Sequence, residues 1–321
     1  MKQVEHLLGY RASIKVMDAT LRDGGLVNDF YFTDDFVKAL YQTNIEAGVD
    51  YMEMGYRASK KVFDETKFGK WKFCSDDHIR EIVGENDTDL KLAIMADIGR
   101  HDKNDFDEKV NSPVDMVRVA AYIHQMPEAI DMIEDAHKKG YETTCNIMAI
   151  SQTQESDLKV ALDMLGKTPV DTIYIVDSFG SIYPEEMKRI VDIYMEAATK
   201  YGKQLGVHAH NNQQLAFANT IEACGDGVNW LDATYKGMGR GAGNCAMELL
   251  LGFLKNPKYN TYPVFRFISD YMVKLEEDGV VWGYDLQYLM TGQLNQHPRT
   301  AIKFTKDKRK DYAEFYKELI V

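Results

Sequence analysis

Short apolar runs and amphipathic stretches alternate along almost the whole chain. The apolar runs fall at 14–18, 50–55, 90–97, 115–121, 143–149, 171–178, 205–210 and 229–235, and each is rich in Val, Ile, Met, Ala or Tyr with little polar interruption. Runs of that length and near-continuous apolarity predict strands buried on both faces, as in a parallel sheet. Between them, apolar positions recur at helical spacing over 34–47, 76–84, 127–139, 155–165, 185–201, 212–224 and 246–254. Boundary residues agree: Pro184-Glu185-Glu186 puts proline at a first helical position with acids in the first turn, and Gly48, Gly140 and Gly225 stand where left-handed caps are expected. Strands alternating with helices predict an α/β fold, and eight such strands predict a (β/α)8 TIM barrel. A doubly wound open sheet would place a nucleotide-binding glycine fingerprint after the first strand. Thr20-Leu21-Arg22-Asp23-Gly24-Gly25 stands there instead. The barrel is expected to close near Pro257, dividing the chain into a barrel at 1–257 and a small helical C-terminal domain at 258–321, richer in Tyr and Lys.

Composition narrows the function classes. The 321 residues carry a formal net charge of -12, which disfavours a nucleic-acid partner because like charge repels the phosphate backbone. No stretch reaches the roughly 18 uninterrupted apolar residues of a membrane span. Residues 1–6 have no cationic segment leading into an apolar one, so no secretory leader is expected. Cys74, Cys145, Cys224 and Cys245 are scattered without a C-x-x-C pair. That usage suits a reducing compartment, and the expected location is the cytoplasm.

In a TIM barrel the chemistry stands at the C-terminal ends of the strands. That rule selects Asp18, Arg22 and Asp23 after the first strand, Glu53 within the second, and Asp97 and His101 after the third. Tyr122 and His124 follow the fourth, Asp177 and Ser178 the sixth, His208 and His210 the seventh, and Arg240 and Asn244 the eighth. Within His208-Ala209-His210 the two imidazoles share one face of a strand, because the side-chain period is two. With a carboxylate from Asp23 or Asp18 they would form an N2O set for a divalent ion with open positions left for substrate. A pair of hydrogen-bonded core histidines would give the same spacing. Arg22 and Asp23 diverge if the turn is extended, so one can meet a ligand while the other meets a metal; a surface ion pair is the plainer alternative. Glu53, interior on its strand, needs a cationic partner, for which Arg22 is available. The run Gly237-Met238-Gly239-Arg240-Gly241-Ala242-Gly243-Asn244 offers either an anion-binding nest or a tight packing turn.

Together, Asp18-Ala19-Thr20-Leu21-Arg22-Asp23-Gly24, His208-Ala209-His210-Asn211 and Gly239-Arg240-Gly241-Ala242-Gly243-Asn244 resemble the DRE-TIM metallolyase superfamily, the group of HMG-CoA lyase. The resemblance spans 14 to 254 and is strongest to the branch of the 4-hydroxy-2-oxovalerate aldolases. It implies that Asp23, His208 and His210 bind a divalent metal, Mn2+ first, with Mg2+, Co2+ or Zn2+ as alternatives, and that Asn244 occupies a variably used ligand position. It implies that Arg22 polarises a substrate keto or enolate oxygen, that Glu53 orients Arg22, and that Ser178 lies near the substrate carboxylate. It also nominates Tyr284, in Gly283-Tyr284 ahead of Tyr288, as a tyrosine returned to the active-site mouth.

The departures from the family pattern are equally specific. Leu26 stands where the aldolases carry a catalytic histidine. No cysteine precedes Asn244 as in the CoA lyase, and Gly25-Leu26 replaces the Glu-Gln of the acyl-CoA synthases. The metal and enolate half of the mechanism is therefore expected to persist while the proton-transfer half is reassigned. Strand order offers His101, His124 and Tyr284 for it, with Tyr122 beside them on the substrate side. The expected function is a metal-dependent carbon–carbon lyase acting on a small 2-oxo acid through a pyruvate-like enolate. A Claisen-type acyl-CoA condensing enzyme and a catalytically silent binding barrel are the rival readings. A homo-oligomer and the dehydrogenase partner of the aldolases are left open.

Overall fold

The computed structural model describes residues 11–102 and 105–321, so the N-terminal stretch read for a leader lies outside the described residues. The chain runs through β1 (Lys15–Asp18), α1 (Thr20–Gly24), α2 (Asp34–Ala47), β2 (Tyr51–Tyr56), α3 (Asp76–Val83), β3 (Lys91–Asp97) and β4 (Met116–Ala121). It continues through α4 (Met126–Lys138), β5 (Glu142–Ile147), α5 (Glu155–Gly166), β6 (Thr172–Asp177), α6 (Pro184–Tyr201), β7 (Gln204–Ala209), α7 (Ala216–Gly225), β8 (Trp230–Ala233) and α8 (Met247–Leu254). Among the described residues the eight strands are parallel and close into one barrel in sequence order, β1 pairing with both β2 and β8. The TIM barrel is thus the observed fold, with every strand end within two residues of its expected place. No helix among the described residues is long and apolar enough to cross a membrane.

Local sequence explains most of the element ends. Thr33 caps α2 by accepting the Phe36 N–H at 3.2 Å, and Gly48 ends it in the left-handed region at φ 74°. Pro184 occupies the first turn of α6 as expected. Two expectations need correction. Gly225 is the last residue of α7, and the left-handed position falls on Gly227 at φ 114°. The same helix begins at Ala216 instead of 212, because Asn211 and Asn212 spend their side chains on backbone N–H groups of Ala216 and Ala242. A third difference matters more. Arg22 and Asp23 stand in the one-turn helix α1 and not in an extended turn, since Asp18 accepts the Thr20 N–H at 2.9 Å and turns the chain directly off β1.

The strands explain the barrel interior. On β2, β4 and β8 the residues two apart share one face, and Tyr51, Met116 and Trp230 form an apolar layer with Met17, Ala93, Tyr174 and Val176. The next positions along the same faces are Glu53, Arg118 and Asp232, all buried. A bulge between Glu53 and Tyr56 lets both side chains of β2 serve the interior and the mouth; Gly55, at φ 148°, provides it, and a Cβ there would overlap the Trp71 carbonyl.

Beyond the barrel, α9 (Thr261–Phe267) passes through a π turn (Ile268–Met272) into α10 (Val273–Glu277). Phe267 of α9 packs edge-on against Phe36 of α2, with ring centroids 5.2 Å apart. The last three helices, α11 (Leu286–Gln293), α12 (Arg299–Lys306) and α13 (Tyr312–Ile320), share a small core of Ala301, Phe304 and Phe315. The four cysteines are buried and unpaired.

Candidate metal centre and active site

Asp23 from α1 meets His208 from β7 and His210 just beyond it. Asp23 Oδ2 lies 2.9 Å from His208 Nε2 and 3.3 Å from His210 Nε2, and all three residues are buried. One ligand atom from each falls within 4.8 Å of the others. The far nitrogens are held. His210 Nδ1 donates to the Asp177 carbonyl at 3.0 Å, and His208 Nδ1 bonds Asp232 at 3.0 Å. Such outer bonds fix the tautomer and aim Nε2 at a metal. Burial pushes His210 down to about 4, so it is neutral, and its Nε2 lone pair faces a carboxylate oxygen. Two acceptors facing each other call for a cation between them. Burial would also lower His208, yet Asp23 and Asp232 on either side raise it, placing a proton where an ion would displace it. Asp23 itself stays well below the usual carboxylate range: burial opposes this, but Arg22 and the imidazoles outweigh burial. Asn244 is bridged to His210 through the backbone, and its buried Oδ1 has no partner. A Cβ at Gly239 would overlap the Asn244 amide, so the glycine makes room for it. This donor set of one carboxylate, two neutral-capable imidazoles and a spare amide oxygen fits a divalent ion.

A closed ring of charges holds the centre in place. Arg22 Nε donates to Glu53 at 2.7 Å, and Arg118 Nη1 approaches the same Glu53 oxygen at 2.9 Å. Arg118 Nη2 donates to Asp232 at 2.6 Å, Asp232 meets His208, His208 meets Asp23, and Asp23 returns to Arg22 Nη1 at 3.3 Å. Arg118 lies on the face of Tyr174, with 4.5 Å between its guanidinium carbon and the ring centroid. Each carboxylate in this dry ring has a cation, as burial of charge requires. Sequence reasoning paired Glu53 with Arg22 but assigned no role to Arg118 or Asp232. The available signal was a lone charge within each of two otherwise apolar strands.

Above the ring opens a cavity lined by Arg22, Asp23, His208 and His210 on one side. Tyr56, Tyr122, Asn146, Ser178, Arg240 and His297 line it with the apolar Leu26, Met95, Met148 and Phe179. About 60 Å³ is open to the centres of water molecules, room for roughly five waters and hence for a small acid. Ser178 Oγ accepts the Ala149 N–H at 2.8 Å, which leaves its own proton free to donate.

Several expected residues are not brought here. Asp18, fully buried and pushed up to about 6 by that burial, spends its oxygens on Thr20 and Asn44 and holds the turn into α1. His101 faces a separate cavity with Phe106, Gln125 and Glu128, its Nδ1 3.3 Å from the Asp97 carbonyl. His124 is exposed and stacks on the outer side of Tyr122, centroids 5.8 Å apart. Tyr284 is 53% exposed and lines no part of the cavity, because Trp282 Nε1 bonds the Lys236 carbonyl at 3.0 Å and anchors that segment beside the β8 loop. From the same C-terminal region His297 arrives instead, its ring edge-on to Phe179 at 5.6 Å. Burial first, then Arg240, pushes His297 down to about 4.

Comparison with known proteins agrees with this geometry. Residues 13–267 match the HMGL-like family model. The chain is 30% identical over 247 residues to the 4-hydroxy-2-oxovalerate aldolase of Thermus thermophilus, covering 76% of this chain and 70% of that one. It is 28% identical over 241 residues to the oxaloacetate decarboxylase of Mycobacterium tuberculosis, covering 75% and 69%. Among solved structures, the N-terminal domain of a presumed aldolase from Bacteroides vulgatus superposes with a TM-score of 0.77 at 30% identity, covering 91% of this chain and 96% of that one.

Proposed function

Because this chain belongs to the HMGL-like family and is one of its carbon–carbon lyases, we propose that it cleaves or forms a carbon–carbon bond of a small 2-oxo acid through a pyruvate-like enolate. Asp23, His208 and His210 would hold the divalent ion, Mn2+ first, with Asn244 as an adjustable further donor. When bound, that ion supplies Lewis-acid stabilisation of charge developing on a substrate oxygen. The observation that carries the reading is the meeting of Arg22 with this ligand set over one shared carboxylate, at the floor of a cavity sized for a small acid.

Each residue then has a task set by its contacts. Arg22 has its Nε committed to Glu53 and its Nη1 beside Asp23, which leaves Nη2 to donate to a keto or enolate oxygen in the cavity that Arg22 lines. Glu53 orients Arg22, and Arg118 braces the same Glu53 oxygen from the other side. Asp232, bonded to His208 Nδ1, leaves His208 Nε2 as the nitrogen that would hold an ion. Ser178 donates its free proton to the substrate carboxylate. Leu26 supplies no proton and helps to exclude water. Proton transfer falls to the tyrosines of the lining, Tyr122 and Tyr56, of which Tyr56 is kept protonated by its burial. In this reading residues 1–257 form the lyase barrel, and 258–321 form a helical cap that brings His297 to its mouth.

The test is solvent deuterium entering the methyl group of pyruvate, followed by proton NMR on metal-loaded protein. The reading expects exchange that is suppressed in Arg22→Lys. Bound metal with no exchange would overturn it in favour of a silent barrel.

A further inference from the structure

The enolate chemistry leaves one part of the cavity unused. Arg240, in the glycine loop after β8, and His297, in the link between α11 and α12, both line it. Arg240 Nη2 donates to the Ser178 carbonyl at 2.8 Å, and its buried Nε has no partner. Its Nη1 stands 3.5 Å from His297 Nε2. On the other side of that imidazole, Nδ1 accepts the Arg299 N–H at 3.0 Å. The shorter bond decides the tautomer: Nδ1 is the acceptor, so the neutral ring carries its hydrogen on Nε2. Two N–H groups therefore face one another at 3.5 Å with no acceptor between them. Among the described residues the lining holds one carboxylate, Asp23, committed to Arg22 and the imidazoles, and the nearby Ser178 carbonyl is taken by Arg240 Nη2. Donors that converge on a gap without an acceptor are completed by an anion, and charge-assisted bonds of this kind are the strong ones.

We propose that Arg240 and His297 form a subsite for a second anionic group on the substrate, so that the preferred substrates are dianionic 2-oxo acids. The inference rests on the reading of Arg22 and the Asp23, His208 and His210 set as the place of the 2-oxo acid end. Phe179 holds the His297 ring, and the Ser178 carbonyl holds Arg240, so both donors are positioned before substrate arrives. A carboxylate and a phosphate share the required chemistry.

The test condenses pyruvate with three aldehydes: propanal, whose tail is neutral, glyoxylate, which brings a carboxylate, and glyceraldehyde 3-phosphate. The expected result is a kcat/KM for at least one anionic aldehyde well above that for propanal, and whichever is favoured identifies the group. Arg240→Met should lower the anionic-to-neutral ratio roughly 10- to 100-fold, the loss of one charge-assisted bond. His297→Phe should also lower the ratio, while His297→Gln, which can still donate, should restore part of it. If Arg240→Met fails to fold, the Phe and Gln variants carry the test alone. Equal rates for all three aldehydes in the parent, or an unchanged ratio in every variant, would overturn the subsite. Calorimetric binding separates this from failure of the lyase reading. Tighter binding of 2-oxoglutarate than of pyruvate, lost with His297→Phe, in a metal-loaded protein that condenses none of the aldehydes and exchanges no solvent deuterium into pyruvate would keep the subsite and overturn the lyase.

Discussion

The cavity has two walls of different origin. One is made by strands and the single helical turn that leaves β1: Arg22, Asp23 and His208, backed beneath the cavity by Glu53, Arg118 and Asp232 in a closed ring of alternating charge. The other is made by loops and the C-terminal helices: Leu26, Tyr122, Ser178, Arg240 and His297. In the first wall every charged group is paired and dry, and its position follows from strand period and register. In the second, donors are left without acceptors and positions depend on contacts far apart in the chain, such as Arg240 with His297 and Trp282 with Lys236. The strand wall is built to hold a fixed charge distribution, and the loop wall to be completed by what binds there.

The comparison breaks most visibly at Arg118. Arg118→Met removes the cation shared by Glu53 and Asp232 and leaves Glu53 to Arg22 alone and Asp232 to His208 alone. Urea unfolding should show a loss of about 3–5 kcal/mol. A loss within 1 kcal/mol would mean that the ring is not under electrostatic load.

Arg22→Lys comes next. It keeps the charge but not the fork, so turnover of pyruvate-forming cleavage should fall roughly 10²- to 10³-fold while metal content stays level. Parent-like turnover would remove Arg22 from the chemistry.

Asp18 sharpens the electrostatic side. Its carboxyl is pushed up to about 6 in the fold from an ordinary 3.8. Between those values the folded chain holds a proton that the unfolded chain lacks, so this group makes stability fall as pH rises through the window and adds no slope above it. The swing is up to about 3 kcal/mol. Asp18→Asn should flatten the stability profile between pH 4 and 6; an unaltered slope would contradict the assignment.

The smallest effect is expected outside both walls. Tyr284→Phe changes an exposed side chain outside the cavity and should alter kcat/KM less than about threefold. A hundredfold loss would show that the segment closes over the site.

The same division explains what the sequence made legible. Eight strands, their order and the His208–Asp23 meeting were readable, because a parallel barrel makes β8 the neighbour of both β1 and β7. Arg118 and Asp232 were legible only as misfits in apolar strands, and their mutual partners lie 114 residues apart. His297 carried no local signal at all. It precedes a short helix in a segment read as a small helical domain, and its approach depends on Phe179 and Arg299. Tyr284 was expected at the mouth from resemblance, yet the anchoring of Trp282, two residues earlier, turns that stretch outward.

The central claim is that Asp23, His208 and His210, braced by Asp232, form a divalent-metal site. Isothermal titration of the purified, metal-stripped protein with Mn2+ tests it most directly. The account predicts about one ion per chain, proton release on binding, an affinity weakened roughly 10- to 100-fold by Asp232→Asn, and no resolvable binding in a folded His210→Ala variant. Parent-like stoichiometry and affinity in His210→Ala would contradict it.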